Sequence, residues 1–219
     1  MSAWQRDGDQ ILRPILREVL REIQTFSGCQ SVGIRLQCGV DYPYYLHEGF
    51  PEFFILKENS LCAGGDEEAL YSNDGDPLLA CVCGMVLKGH CEPRFPFFTE
   101  DGCFWTNCTT KLLGSSSKEE QQLLGRTRGM CHMSGYESVA LVPTNVNGKI
   151  LGLIQLNDPR VGMFTLEKIS QYKAIADKVA IIVQDATNIS EAISGIREMI
   201  TGFEAGVGEE RSAHSDGDV

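Results

Sequence analysis

The chain has 219 residues, 42% of them hydrophobic, with 19 Lys and Arg against 30 Asp and Glu for a net charge of -11. One domain of roughly 150 residues plus flanking helices fits that length and buries a substantial core, and no second large domain does. The acidic balance speaks against binding nucleic acid, which needs clustered basic residues to displace phosphate counterions, and nothing approaches the roughly 20 apolar residues of a membrane span.

In chain order, residues 1–10 read as an N-terminal extension that carries charge and lacks the apolar segment of an export signal, which points to a cytoplasmic protein. From residue 11 to 26, Leu12, Leu16, Val19, Ile23 and Phe26 recur at intervals of four and three between Arg and Glu. That spacing predicts an amphipathic helix. Residues 31–37 follow as a β-like run, and His47 lies beside Tyr44 and Tyr45 in the loop after it.

Cysteine is the unusual component, at nine residues. An odd count in a reducing compartment leaves buried free thiols, metal ligands or redox-active thiols. Cys62, Cys81, Cys83 and Cys131 stand at Gly-, Pro- or polar-flanked turns, and a helix starting at about Gly84 leaves Cys81 and Cys83 at its N-terminal end, where thiolate is favoured. The four together suit a thiolate site for zinc, an Fe–S cluster or a heme anchor, although the paired spacing of zinc ribbons and c-type heme attachment is missing. Reversible thiol oxidation and simple burial as small hydrophobes are the alternatives. Cys29, Cys38, Cys91, Cys103 and Cys108 fall closer to burial. His132 adjoins Cys131 and His90 adjoins Cys91, so that either completes a mixed site or serves as an axial heme ligand.

Residues 93–105 concentrate Phe95, Phe97, Phe98, Phe104 and Trp105. Phe97, Phe98 and Trp105 are expected to line a ligand cavity, the alternative being a long loop that packs on itself. Two strands, 136–143 and 149–156, flank the turn sequence Asn145-Val146-Asn147-Gly148 and form a hairpin. Ile182, Ala186, Ile189, Ile193, Ile196, Ile200 and Phe203 continue a heptad-like stripe, so both ends read as coiled-coil-like arms of a homodimer or as helices packed on their own domain. Residues 204–219 are nearly devoid of apolar side chains and read as a disordered acidic tail.

The segment Gly135-Tyr136-Glu137-Ser138-Val139-Ala140-Leu141-Val142-Pro143, the following Gly148-Lys149-Ile150-Leu151-Gly152-Leu153-Ile154-Gln155-Leu156-Asn157-Asp158, and Phe164-Thr165-Leu166-Glu167 opening a helix resemble the C-terminal half of a GAF domain. Gly84-Met85-Val86-Leu87-Lys88-Gly89 looks like the mid-domain helix of the same fold. Around Cys62, Pro77-Leu78-Leu79-Ala80-Cys81-Val82-Cys83-Gly84 and Pro96-Phe97-Phe98-Thr99-Glu100, the chain resembles a cysteine-bearing subgroup found in sensor histidine kinases of anaerobic microbes, some of which hold heme.

The resemblance implies an α+β fold over residues 11–187, an antiparallel sheet with helices on both faces and long N- and C-terminal helices, followed by a helical arm at 188–203. It also implies a sensor that binds a metal or redox cofactor through Cys62, Cys81, Cys83 and Cys131. No kinase, cyclase or DNA-binding module lies within these residues, so a separate signalling protein such as a kinase is the expected partner. A small-molecule-binding module with structural cysteines is the second expectation. The third is a thiol-based methionine sulfoxide reductase, whose cysteine arrangement the stretch Cys81-Val82-Cys83 does not reproduce, and the leading expectation is not an enzyme.

Overall fold

A computed structural model describes residues 3–62, 78–115, 117–124 and 127–213. The chain divides into two compact units, Ile15–Ile181 and a second made of Met1–Pro14 with Ile182–Val219. The elements are α1 (Ala3–Ser27), β1 (Ser31–Leu36), β2 (Tyr44–Glu48), α2 (Glu52–Glu58), α3 (Cys81–Leu87), β3 (Phe104–Thr106), α4 (Thr109–Ser115), α5 (Lys118–Leu124), α6 (Met130–Met133), β4 (Ser138–Val146), β5 (Lys149–Asp158) and α7 (Leu166–Ala213).

Within Ile15–Ile181 the five strands form one antiparallel sheet in the order β2-β1-β5-β4-β3. The α+β architecture expected from the sequence is the one observed. Its centre is the β4–β5 hairpin, closed by Asn147 and Gly148, whose φ values of 52° and 80° suit the two-residue turn that matches strand twist. Gly152 sits where β5 meets β1, and a Cβ there would come within 1.9 Å of the Arg35 carbonyl oxygen. Only glycine allows the two strands to pair at that point.

Side chains alternate across the pleat, so registered pairs sort the sheet into two faces. Val32, Ile34, Ala140, Val142, Ile154 and Leu156 lie on one face, all buried. The buried stripes of the end helices cover it: Leu16, Leu20 and Ile23 of α1, and Ile169, Tyr172, Ala176 and Val179 of α7. The other face carries Val139, Leu141, Leu153 and Phe104, which join Phe54 of α2, Val82 and Val86 of α3 and the loop aromatics in one core cluster. Cys83, and Cys131 at the edge of the cluster, lie on this second face.

In the other unit, Leu12, Val183, Ala186 and Ser190 are buried, while Ile11, Ile189, Ile196 and Met199 are exposed. Asp9 and Arg13 pair one helical turn apart.

Several boundaries differ from the sequence expectation. Helix α1 begins at Ala3, inside the segment read as an extension, and α7 runs to Ala213, through most of the segment read as a disordered tail; residues 214–219 lie outside the described residues. His47 is in β2 and not in a loop: it pairs with Gly33 of β1, and an irregularity between the Leu46 and Tyr44 pairs breaks the alternation that would have marked the strand. Helix α3 starts at Cys81, before Gly84.

Among the described residues, no helix is long and apolar enough to cross a membrane.

Candidate functional site

The covering of the second face brings Cys81, Cys83 and Cys131 together. Leu61 and Cys62 bridge to Leu79 and Ala80 in short antiparallel contact, which sets the start of α3. Gly84 lies so close to Leu79 that a Cβ would fall 2.5 Å from the Leu79 carbonyl oxygen, and this contact packs the start of α3 on the segment that leads into it. Across from it, α6 presents Cys131. The three thiols line a recess of about 60 Å³ with Phe104, Met130, His132 and Leu141 among its walls.

Cys81 is half-buried and Cys83 is 3% exposed. The Cys83 thiol donates a hydrogen bond to the Cys81 sulfur, which the backbone N–H groups of Val82 and Arg128 also approach. The donated bond from Cys83 draws the Cys81 pKa down to about 6 against the effect of burial, and the same bond with burial pushes Cys83 well up. Burial pushes Cys131 up to about 12. Cys81 also has a φ of 68°; the other non-glycine residue with positive φ among those described is Asn147, whose turn requires it.

A buried polar chain reaches the recess from the sheet. Arg35 has no exposed surface, donates to the carbonyls of Tyr42 (2.8 Å), Asn59 (3.0 Å) and Glu58, and stacks its guanidinium 3.6 Å over the Tyr44 ring. The Tyr44 hydroxyl donates to Gln155 Oε1 at 2.7 Å, and Gln155 Nε2 reaches Asn157 Oδ1 at 3.1 Å and Cys131 Sγ at 3.7 Å. Arg128 closes the other side by donating to the carbonyls of Ser60 (2.7 Å) and Cys62 (3.2 Å), 3.6 Å from the buried Glu58 carboxylate. Burial raises the Glu58 pKa although Arg128 and Arg35 pull against it. Sequence periodicity gave no hint of Arg35, Tyr44, Glu58, Arg128 or Gln155. A charged residue within the otherwise apolar run Val32-Gly33-Ile34-Arg35-Leu36 was the available signal for Arg35.

The remaining expected site residues fall elsewhere. Cys62 does not line the recess; its backbone N–H approaches Ser60, and Asp41 lies beside its thiol. His132 lines the recess, with Nδ1 3.1 Å from the Thr109 hydroxyl. Phe97 and Trp105 line a separate surface groove of about 390 Å³. Phe98 is buried, with its ring 5.0 Å from Phe97 and 5.9 Å from Phe104, in the manner of a loop anchoring itself. None of the nine cysteines is in a disulfide.

Among the described residues no group of three or more His, Cys, Asp or Glu side chains is arranged to hold a metal ion. A buried water needs about 10–15 Å³, so a recess of about 60 Å³ admits a few waters or one very small molecule. Neither this donor set nor this volume fits a tetrathiolate metal, an Fe–S cluster or a heme.

No protein-family model matches the chain, and no curated protein does. Solved structures do. The chain is similar to a type II free methionine-R-sulfoxide reductase from Thermoplasma acidophilum at 12% identity and a TM-score of 0.52, covering 82% of this chain and 96% of that one. It is similar to the GAF domain of an Acinetobacter phosphoenolpyruvate-protein phosphotransferase at 13% identity and a TM-score of 0.50, over 87% and 99% of the two chains. A GAF domain/HD domain protein from Geobacter sulfurreducens matches at 14% identity and a TM-score of 0.50, over 84% and 98%.

Proposed function

We propose that this chain, which has the GAF fold, is a sensory module whose signal is the oxidation state of Cys81, Cys83 and Cys131, passed as a homodimer to a separate signalling protein. The observation that supports this reading is the convergence of three thiols from α3 and α6 in one recess, with a buried polar chain running from it into the sheet. Oxidation there joins two sulfurs: each thiol gives up its hydrogen, two electrons pass to the oxidant, and a covalent S–S bond forms. A tie between α3 and α6, or within α3, repositions side chains that Gln155 and Arg128 hold. The module senses and does not turn over substrate.

Intact-mass analysis of the full chain before and after mild oxidation, with peptide mapping, tests this. The expected result is a reversible loss of about 2 Da that maps to a pair among Cys81, Cys83 and Cys131. A disulfide placed elsewhere, or none, overturns it. Stoichiometric metal or a heme absorption band in anaerobically purified protein would instead establish the metal or cofactor site expected from the sequence. Multiple turnovers of methionine sulfoxide would make the chain an enzyme.

The homodimer part of the reading rests on the exposed Ile189, Ile196 and Met199 of α7, an apolar stripe that a second copy would cover. Light scattering is expected to give twice the chain mass for the wild type and the chain mass for Ile189→Lys/Ile196→Lys. A monomeric wild type at micromolar concentration rejects the dimer and leaves the thiol reading intact.

A further inference from the structure

We propose that Cys81 is the attacking thiol of the recess and that its oxidant is a small hydroperoxide, hydrogen peroxide being the best fit. This rests on the thiol-sensing reading above and names its chemistry.

The backbone singles out Cys81 among the three sulfurs. Its φ of 68° lies in the region that L-residues adopt only when their surroundings hold them there, and the helix that follows does not require it. Residues held in such conformations concentrate at sites where a side chain has to be presented in one direction. The conformation places the Cys81 sulfur where the Cys83 thiol and the N–H groups of Val82 and Arg128 meet it. Donors that converge on a sulfur favour its thiolate, the form that attacks. Cys83 is the donor of the pair and is buried at 3% exposure, and Cys131 is approached by the side-chain amides of Gln155, at 3.7 Å, and Asn157, while burial pushes it up. Cys81 and Cys131 are half-buried while Cys83 is buried, so exposure sets Cys81 apart from Cys83 alone.

The size of the recess selects the oxidant. About 60 Å³ between Phe104, Val139, Leu141 and Leu112 holds a molecule of a few heavy atoms, and a peroxide carrying an aromatic or branched alkyl group has to leave that group outside. In the step itself the Cys81 thiolate attacks one peroxide oxygen, so that the S–O bond forms as the O–O bond breaks. The departing oxygen leaves with the bonding pair and takes the proton of the neighbouring Cys83 thiol, giving water from hydrogen peroxide or an alcohol from an alkyl hydroperoxide. Sulfur loses two electrons to become a sulfenic acid and the peroxide gains them. The Cys83 thiolate so formed stands beside an oxidised sulfur, the arrangement from which a disulfide closes with loss of hydroxide.

The test uses the full chain, a dimedone probe for sulfenic acid read by peptide mass spectrometry, and two oxidants, hydrogen peroxide and cumene hydroperoxide. With Cys83 and Cys131 both replaced by Ser to stop resolution, the expected adduct is on Cys81, and it forms at least about tenfold faster with hydrogen peroxide. In the wild type, Cys81→Ser abolishes peroxide-driven disulfide formation in the recess, while melting temperature and circular dichroism show that the variant is folded. Adduct on Cys83 or Cys131 in the corresponding single-cysteine recess variants, at a rate equal to that of Cys81, overturns the assignment of the attacking thiol. Equal rates with the two peroxides overturn the assignment of the oxidant. A recess disulfide that forms with diamide but not with any peroxide leaves the sensing reading standing and rejects this inference; thiols inert to every oxidant reject both.

Discussion

Cys81 shows how a single residue separates backbone demands from side-chain chemistry. At an ordinary helical position glycine costs about 1 kcal/mol relative to alanine. At a φ of 68° the order inverts, because alanine carries the Cβ that the left-handed region disfavours. Cys81→Gly is therefore expected to exceed Cys81→Ala in chemical-denaturation stability by about 1 kcal/mol, with neither variant reacting at the recess. Alanine matching or exceeding glycine would show that the strained conformation is not held in solution. Arg35 makes the complementary point: three carbonyls and an aromatic face surround a guanidinium with no exposed surface, and its Nε has no hydrogen-bond partner.

At the scale of elements, α4 and β4 are tied by Glu137, which accepts from the Thr110 hydroxyl at 2.6 Å and from the Thr110 backbone N–H at 3.1 Å. Those bonds hold its carboxyl at about 2. An acid whose folded pKa is lowered stabilises fully above its unfolded value, near 4.3, and loses that contribution as pH falls toward the folded one. Asp158 acts in the same direction: burial raises it, but the bonds from Arg160 prevail and lower it. Glu58, raised by burial, works oppositely. The expected result is a stability curve that falls between about pH 4.5 and pH 2, with a shallower acid limb in Glu137→Gln. An unchanged limb would mean that the Glu137 tie does not persist in solution.

The elements that the sequence reveals are those whose pattern is long enough to read. The stripe Leu12 to Ile23 becomes α1, and the Asn147-Gly148 turn closes the hairpin because its backbone demands are local. Strand β2 escapes because Tyr44, Tyr45, Leu46, His47 and Glu48 mix aromatic and polar residues over only five positions, and β3 because it has three. The site was half legible. Cys81, Cys83 and Cys131 stand at turns and do converge, but Cys62 belongs to the bridge that positions α3. Arg35 is hidden from periodicity for a different reason: alternation from Val32 and Ile34 puts it on the opposite face, and only the covering of both faces buries it.

Over the whole Ile15–Ile181 unit, the polar chain from Cys131 through Gln155 and Tyr44 to Arg35 spans α6, β5, β2 and β1. Away from water its members polarise and restrain one another, so they lose stability together. A double-mutant cycle of Tyr44→Phe with Cys131→Ser is expected to show a coupling of at least about 0.5 kcal/mol; strict additivity would show two independent contacts. Strand β2 is also the outermost strand and is held by β1 on one side. A rim with a single neighbouring strand is the softest part of a sheet, and here it is fastened through Tyr44 to the sulfur. Amide hydrogen exchange along residues 44–48 is thus the first clock to change when the recess is oxidised, running ahead of any change in helix content.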